Sequence, residues 1–427
     1  MLSLNYPNYL LVVLVFGACG ALELEEVALK SLDCRENVCR GLDLSSPSEV
    51  GRLTKEAADT LQGHESLILH SSRLANLPRN VFRSLPQLVE LDVLECEVQR
   101  IERKCFEGAR NLRRLNLGGN LISDLESSAF ELATELEELN LSDNRVEELP
   151  ARLFLPLRKL QKINLSSNNI KSISPLLFSQ LNALKFVNLD GNQLGDLPSE
   201  LFRDQRRRLT EFSARSNRLE RFPSNLLVSL ERLSLSGNFA LKKLQLPADV
   251  DQLQATNCGL ESVSLSGRVV SVQLEDNPSL KDLRISQPEH LEQLYLANTN
   301  LSRLDFLSKS KNLVDLDVTG IENLSDLPQI TSSRDLERLS FTYDNKTSDN
   351  MDMLPELKNL NYLEISHEKG KEVFVKDLDE DFFVDHAEVN CGQLAELLEF
   401  VDLPKDTTIL EDRVVGDPRG PLRCGVV

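Results

Sequence analysis

The sequence predicts a solenoid of stacked coils, each adding one strand to a parallel sheet, and three observations carry that prediction. Six phenylalanines, Phe82, Phe106, Phe130, Phe154, Phe178 and Phe202, keep one constant 24-residue interval. Four asparagines, Asn120, Asn144, Asn168 and Asn192, keep the same interval. Ahead of each asparagine the apolar residues alternate as Leu-x-Leu, Ile-x-Leu or Val-x-Leu, the period-two pattern of a strand. Self-similarity at a fixed period of this length marks an array of structural repeats.

Aligned on those columns, the unit reads Leu-x-x-Leu-x-Leu-x-x-Asn-x-Ile-x-x-Leu, followed by Phe. One copy carries Leu136, Leu139, Leu141, Asn144, Val146, Leu149 and Phe154. The next carries Leu160, Ile163, Leu165, Asn168, Ile170, Ile173 and Phe178. Over residues 64–365 this pattern resembles the extracellular leucine-rich repeat family. The resemblance implies an α/β solenoid: a leucine-rich repeat horseshoe with a parallel β-sheet on its concave face and disulfide-bonded caps.

Each position has a physical job. The strand leucines point inward, and the residue between them faces solvent on the concave side. The asparagine stands where the chain leaves the strand, and its buried amide can pair with backbone groups that the bend leaves open. Phenylalanine fills the far side of the coil. One unit cannot fold alone. Its large apolar side chains give about 1.5–3 kcal/mol each on burial, whereas ordering the backbone costs about 1–2 kcal/mol per residue. Neighbours must cover both faces of every coil, and the ends need caps.

Residues 1–21 have the form of a secretory signal peptide, with Leu10–Phe16 as the apolar core and small residues at Ala18 and Gly20. No later apolar run reaches the ~20 residues of a membrane span, and the mature protein is expected to be extracellular. The formal net charge of −19 argues against nucleic acid and against an anionic membrane surface. Residues 22–63 are expected to form the N-terminal cap, with a helix-like stretch over 48–61. Regular 24-residue repeats follow over 64–208, and shorter, less regular ones over 209–365. Residues 366–427 are expected to form an acidic segment and a C-terminal cap, in which 391–400 is helix-like. Arg203–Arg208, in a unit slightly longer than those before it, reads as a solvated loop, with a sulfated-polysaccharide site or a processing site as alternatives.

Removal of the leader takes away Cys19 and leaves seven of the eight cysteines, an odd number. In the family's pattern, Cys34 and Cys39 belong to the opening cap, and Cys391 and Cys424 to the closing one. Cys96 and Cys258 occupy the asparagine column, where cysteine reads as a small buried substitute. Cys105 lies in the repeat that contains Cys96, so those two are also candidates for a bond. That would leave Cys258 for an intermolecular disulfide and an oligomer.

The solvent-facing column of the concave strands reads Asp92, Asn116, Asn140, Asn164, Asn188, Ser213 and Ser234. It can form an amide ladder. Asn140 and Asn164 also head Asn-x-Ser acceptors for N-glycosylation, as does Asn300, and Asn323 and Asn345 complete the acceptor set. Large side chains on these strands are few: Arg114, Phe186, Arg232, Tyr295, Arg338 and Tyr362. Aromatics and arginines are favoured interface anchors, so these six are the candidate ligand-binding residues.

No motif for catalysis, for a cofactor or for a metal emerges. His367-Glu-Lys-Gly-Lys371 begins like a zinc-protease motif, but Lys371 holds the place of the second histidine. The expectation is a non-enzymatic secreted protein that binds an extracellular protein or a microbial-surface ligand. Its resemblance to soluble leucine-rich immune proteins and Toll-like receptor ectodomains points to innate immunity. A matrix, adhesion or guidance ligand is the alternative.

Overall fold

The computed structural model describes residues 81–205 and 207–321 continuously. Around them it describes residues 63, 65–70, 77, 324, 327–343, 357, 359–360, 362–367 and 371–377, and the strand segments 11–13, 33–35, 38–40, 409–412 and 423–426. Its contacts divide the chain into two units. One comprises residues 1–219 with 225–229, and the other 220–224 with 230–427.

In the first unit, short parallel strands recur in register: Ser66–His70, Glu90–Leu94, Arg114–Asn116, Glu138–Asn140, Lys162–Asn164, Phe186–Asn188 and Glu211–Ser213. Each central leucine, isoleucine, valine or phenylalanine is buried between two half-buried or exposed neighbours, as Leu-x-Leu demands. The apolar segment Leu11–Val13 lies parallel to Ser66–His70 at the start of this sheet.

The phenylalanine column is a continuous internal stack. All six rings are at most 1% exposed, and successive centroids lie between 5.7 and 6.3 Å apart. The stack ends where Phe202 meets the strand residue Phe212 edge-on at 5.0 Å.

The asparagine column does the polar half of the work. Asn168 is representative: its Nδ2 donates to Leu141 O, Leu165 O and Ser166 O, and its Oδ1 accepts from Val146 N. One buried amide thus ties each coil to its neighbours. Directly before this column runs another that the sequence reading did not isolate. Gly119, Asp143, Ser167, Gly191, Ser216, Gly237, Asn257, Asp276, Asn298 and Gly320 all adopt positive φ. The left-handed residue turns the chain out of the strand and delivers the asparagine inward.

The second unit repeats the plan with shorter coils. Its main sheet includes Ser229–Ser234, Asp249–Gln254, Val269–Gln273, Gln293–Tyr295, Asp315–Val318, Arg338–Tyr343 and Tyr362–His367. Registers such as Leu253↔Val272 and Leu294↔Leu316 mark the coil lengths. No phenylalanine column continues here among the described residues. A second parallel sheet, Lys243–Leu246, Ser262–Leu265 and Asp282–Ile285, closes the back of the shortest coils. The coil that runs from Leu253 to its register partner Val272 is too short for the turn that carries a phenylalanine, so its return path runs extended. Helical structure among the described residues is slight: one helix, Val81–Ser84, and 3-10 turns.

Lys371–Asp377 runs antiparallel to Tyr362–His367 and ends the parallel order. His367 and Lys371 pair across this hairpin, which is not the helix a zinc-protease motif needs. Cys34 stands opposite Cys39 on an antiparallel ladder, and Cys424 lies on Arg423–Val426 opposite Glu411. Cys391 and the helix-like stretches 48–61 and 391–400 lie outside the described residues.

Two cysteine expectations are corrected. Cys96 and Cys105 do not bond to each other. The Cys96 thiol donates to Leu94 O and Leu69 O, and the Cys105 thiol donates to Leu77 O. The two side chains serve different places in the coil, one at the asparagine turn and one beside the phenylalanine stack. Cys258 is 6% exposed and donates to Thr256 O and Leu235 O. Burial raises its thiol pKa, so it is neither accessible nor activated for an intermolecular disulfide. In the asparagine column, cysteine supplies one donor to the carbonyls that asparagine would tie.

Candidate functional site

On the first unit the solvent-facing sheet positions satisfy one another. Arg114 forms a two-pronged pair with Glu90 at 3.0 and 3.1 Å, and Lys162 meets Glu138 at 2.9 Å. In the next column Asn140 Nδ2 donates to Asn116 Oδ1 at 2.8 Å. The Oδ1 atoms of Asn116, Asn140, Asn164 and Asn188 each accept the backbone N–H two residues on. Asp92, at the head of that column, has its carboxyl pushed up to about 6 by burial and by Glu90, with Arg114 opposing. Phe186 is half-buried on its strand, alone among these polar neighbours.

The second unit gathers its large side chains. Register places Asp315, Arg338 and Tyr362 in one column and Tyr295, Asp317, Ser340 and Glu364 in the next. Tyr295 Oη donates to Asp315 Oδ2 at 2.7 Å, and the Arg338 guanidinium comes within 3.6 Å of the same oxygen. The guanidinium carbon lies 4.5 Å from the centroid of the Tyr362 ring. Tyr362 Oη and Ser340 Oγ both donate to Glu364 Oε2, at 3.0 and 3.2 Å. Partial burial, with the bond to Glu364, pushes the Tyr362 phenol up to about 12. Burial and the bond to Asp315 push Tyr295 up as well.

Glu275 adjoins this group, leaving the strand that carries Gln273, the partner of Tyr295. Its Oε2 is buried and receives no hydrogen bond. Burial first, and then the charges of Asp317 and Asp276, raise its pKa to about 7 against the pull of its own backbone N–H.

Three of the six candidate ligand-binding residues, Tyr295, Arg338 and Tyr362, therefore form one linked set. Arg232, exposed, bonds to Gln252 at 3.0 Å on its own part of the sheet. Arg114 and Phe186 belong to the first unit. The sequence reading missed Glu275, Asp315, Asp317 and Glu364 because it sought only large anchors. The signal was present, since each alternates with the strand leucines. Of the acceptor asparagines, Asn300 is exposed just beyond a turn, while Asn323 and Asn345 lie outside the described residues. In Arg203–Arg208, Gln205 is 1% exposed and donates to Phe178 O and Leu181 O. Arg203, Asp204, Arg207 and Arg208 beside it are exposed.

Among the described residues, no group of three or more His, Cys, Asp or Glu side chains is arranged to hold a metal ion. No helix among them is long and apolar enough to cross a membrane.

A family model described as leucine rich repeat matches residues 62–122, 87–145 and 134–194. No curated protein matches the sequence. Solved structures match in fold. The glycosylated Toll–Spatzle complex, described as a molecular hub in Drosophila development and innate immunity, is 22% identical with a TM-score of 0.58. That match covers 68% of this chain and 41% of that one. The TLR13–ssRNA13 complex is 20% identical with a TM-score of 0.55, covering 69% and 45%. The chain spans less than half the length of either. At these identities the likeness is one of fold: a parallel β-solenoid of leucine-rich repeats.

Proposed function

We propose that this leucine-rich repeat protein is a secreted, non-enzymatic recognition protein. It binds another extracellular protein through the solvent-facing side of the sheet in its second unit. Leucine-rich repeats are a protein-interaction scaffold, and such a sheet presents a regular surface on rigid strands. The observation that carries the reading is the linked set Tyr295–Asp315–Arg338–Tyr362. Two tyrosines and an arginine are held by hydrogen bonds and stacking on adjacent strands. Side chains already fixed lose little rotamer freedom on binding, and Tyr and Arg dominate interface hot spots. The first unit's sheet is less suited, because its two candidate anchors, Arg114 and Phe186, lie on strands that are not neighbours.

The test places a photo-cross-linking residue at Gln293, exposed on the sheet beside Asp315, or at Arg284, exposed on the second sheet at the back of the same unit. The secreted chain is irradiated in the fluid into which it is released. Protein adducts at position 293 and none at 284 are expected. Adducts only at 284, or at neither, overturn the reading.

A further inference from the structure

The same sheet face has a pronounced charge imbalance. Glu275, Asp315, Asp317 and Glu364 line successive coils here and, among the described residues, share the face with one cation, Arg338, whose guanidinium is already occupied by Asp315 and Tyr362. Asp317 uses one oxygen to accept from Thr319 N, and Glu364 Oε2 accepts from two hydroxyls. Glu275 has a buried oxygen with no donor at all. A buried acceptor without a partner is unfavourable, and more so when charged, so the fold tolerates this group at the expense of stability. Its complement is a group that carries only donors and a positive charge. A polyanion such as RNA meets repulsion from the same carboxylates, and the side chains do not form a metal site.

The chain itself shows which cation the surface suits. Arg338 lies over the Tyr362 ring with its edge toward Asp315, the arrangement in which a planar guanidinium stacks and donates at once. Tyr295, half-buried one strand from Asp317, offers a second ring. On the reading that this face binds a protein, we propose that its occupant presents an arginine side chain. The carboxylates of Glu275 and Asp317 and the ring of Tyr295 between them receive it.

The experiment uses the full secreted chain and two probes, a tetra-arginine peptide and its citrulline counterpart, which keeps the shape and loses the charge. Because the chain is acidic throughout, local recognition is separated from general attraction by charge-matched variants. Asp317→Asn and Glu275→Gln alter the site, and Glu148→Gln removes an exposed charge on the first unit. Asp317→Asn keeps an oxygen for Thr319 N, so it preserves the fold. The expected result is binding of the arginine peptide at least tenfold tighter than the citrulline one. Asp317→Asn and Glu275→Gln should each weaken it fivefold or more, and Glu148→Gln less than twofold. Equal loss in all three variants would mean diffuse charge attraction and overturn the proposal. Equal binding of the two peptides would also overturn it, while cross-linking at position 293 would leave the protein-binding reading intact.

Discussion

The Arg338 guanidinium lies over the face of Tyr362, one strand along the sheet, with 4.5 Å between its carbon and the ring centroid. Arg338 is more than half exposed, so the contact belongs to the weaker class of cation–π pairs. A cycle of Arg338→Met, Tyr362→Leu and the double variant, followed by urea unfolding, should return a coupling of about 0.5–1 kcal/mol. A coupling indistinguishable from zero would mean that the pair is adjacent without being attractive.

The phenylalanine stack should carry far more. Phe154 is fully buried between Phe130 and Phe178, and Phe154→Ala removes it with little chance of collapse around the gap. A loss of about 3–5 kcal/mol is expected. Phe186→Ala, on the half-buried sheet face, should lose less than about 1 kcal/mol, since most of its ring is not core. Similar losses for the two would contradict the internal position of the column.

Asn168→Ala deletes four hydrogen bonds and leaves the N–H of Val146 and the carbonyls of Leu141, Leu165 and Ser166 without their amide. At least about 2 kcal/mol of destabilisation is expected. Cys258→Asn should be neutral or stabilising, because the thiol already stands where the amide would and bonds to Leu235 O and Thr256 O. If Asn168→Ala unfolds no more readily than the native chain, the column is not a polar spine.

Asn140 and Asn164 are register neighbours on adjacent strands, about 4.8 Å apart at sheet spacing. Asn140 Nδ2, the atom that would bear a glycan, donates to Asn116. Two glycans cannot stand side by side at that spacing without breaking the ladder. Peptide mass spectrometry of the protein expressed through the secretory route should find Asn300 glycosylated and no molecule carrying glycans on both Asn140 and Asn164. Double occupancy would overturn the expectation.

The raised carboxyl of Glu275 has a defined consequence for stability. Its ordinary value of 4.5 becomes about 7 in the fold, through burial first and then Asp317 and Asp276. Between those values the folded chain holds the proton more tightly than the unfolded chain, so this group's contribution to stability falls as pH rises through the window. Glu275→Gln abolishes that term. The thermal midpoint of the native chain should decline relative to the variant from about pH 4.5 to 7 and run parallel to it above. Asp92 is shifted in the same direction but is present in both proteins and cancels. A constant difference across the whole range would place Glu275 in water.

Much of the architecture was legible from spacing alone. Phe82 to Phe202, the Leu-x-Leu strands and Asn120 to Asn192 behave as their periodicity implied. A 24-residue interval repeated in register allows no other placement that buries every large apolar group. The left-handed column was equally visible in Gly119, Asp143, Gly191, Asn257 and Asn298, residue types that tolerate positive φ, but it takes meaning only beside the asparagine that follows it. Cys96 and Cys105 misled because separation along the chain says nothing about which side of a coil each thiol meets.

By itself the sequence determined the coil: which residues turn inward, where the strand ends, and that neighbouring coils must share one interior. Periodicity encodes this directly, because burial repeats with the backbone. Only the tertiary structure decided which outward residues meet. Tyr295, Asp315, Arg338 and Glu364 come from the strands of four successive coils, and the length of each coil sets their register. The surplus negative charge they share with Glu275 exists only after those coils have stacked.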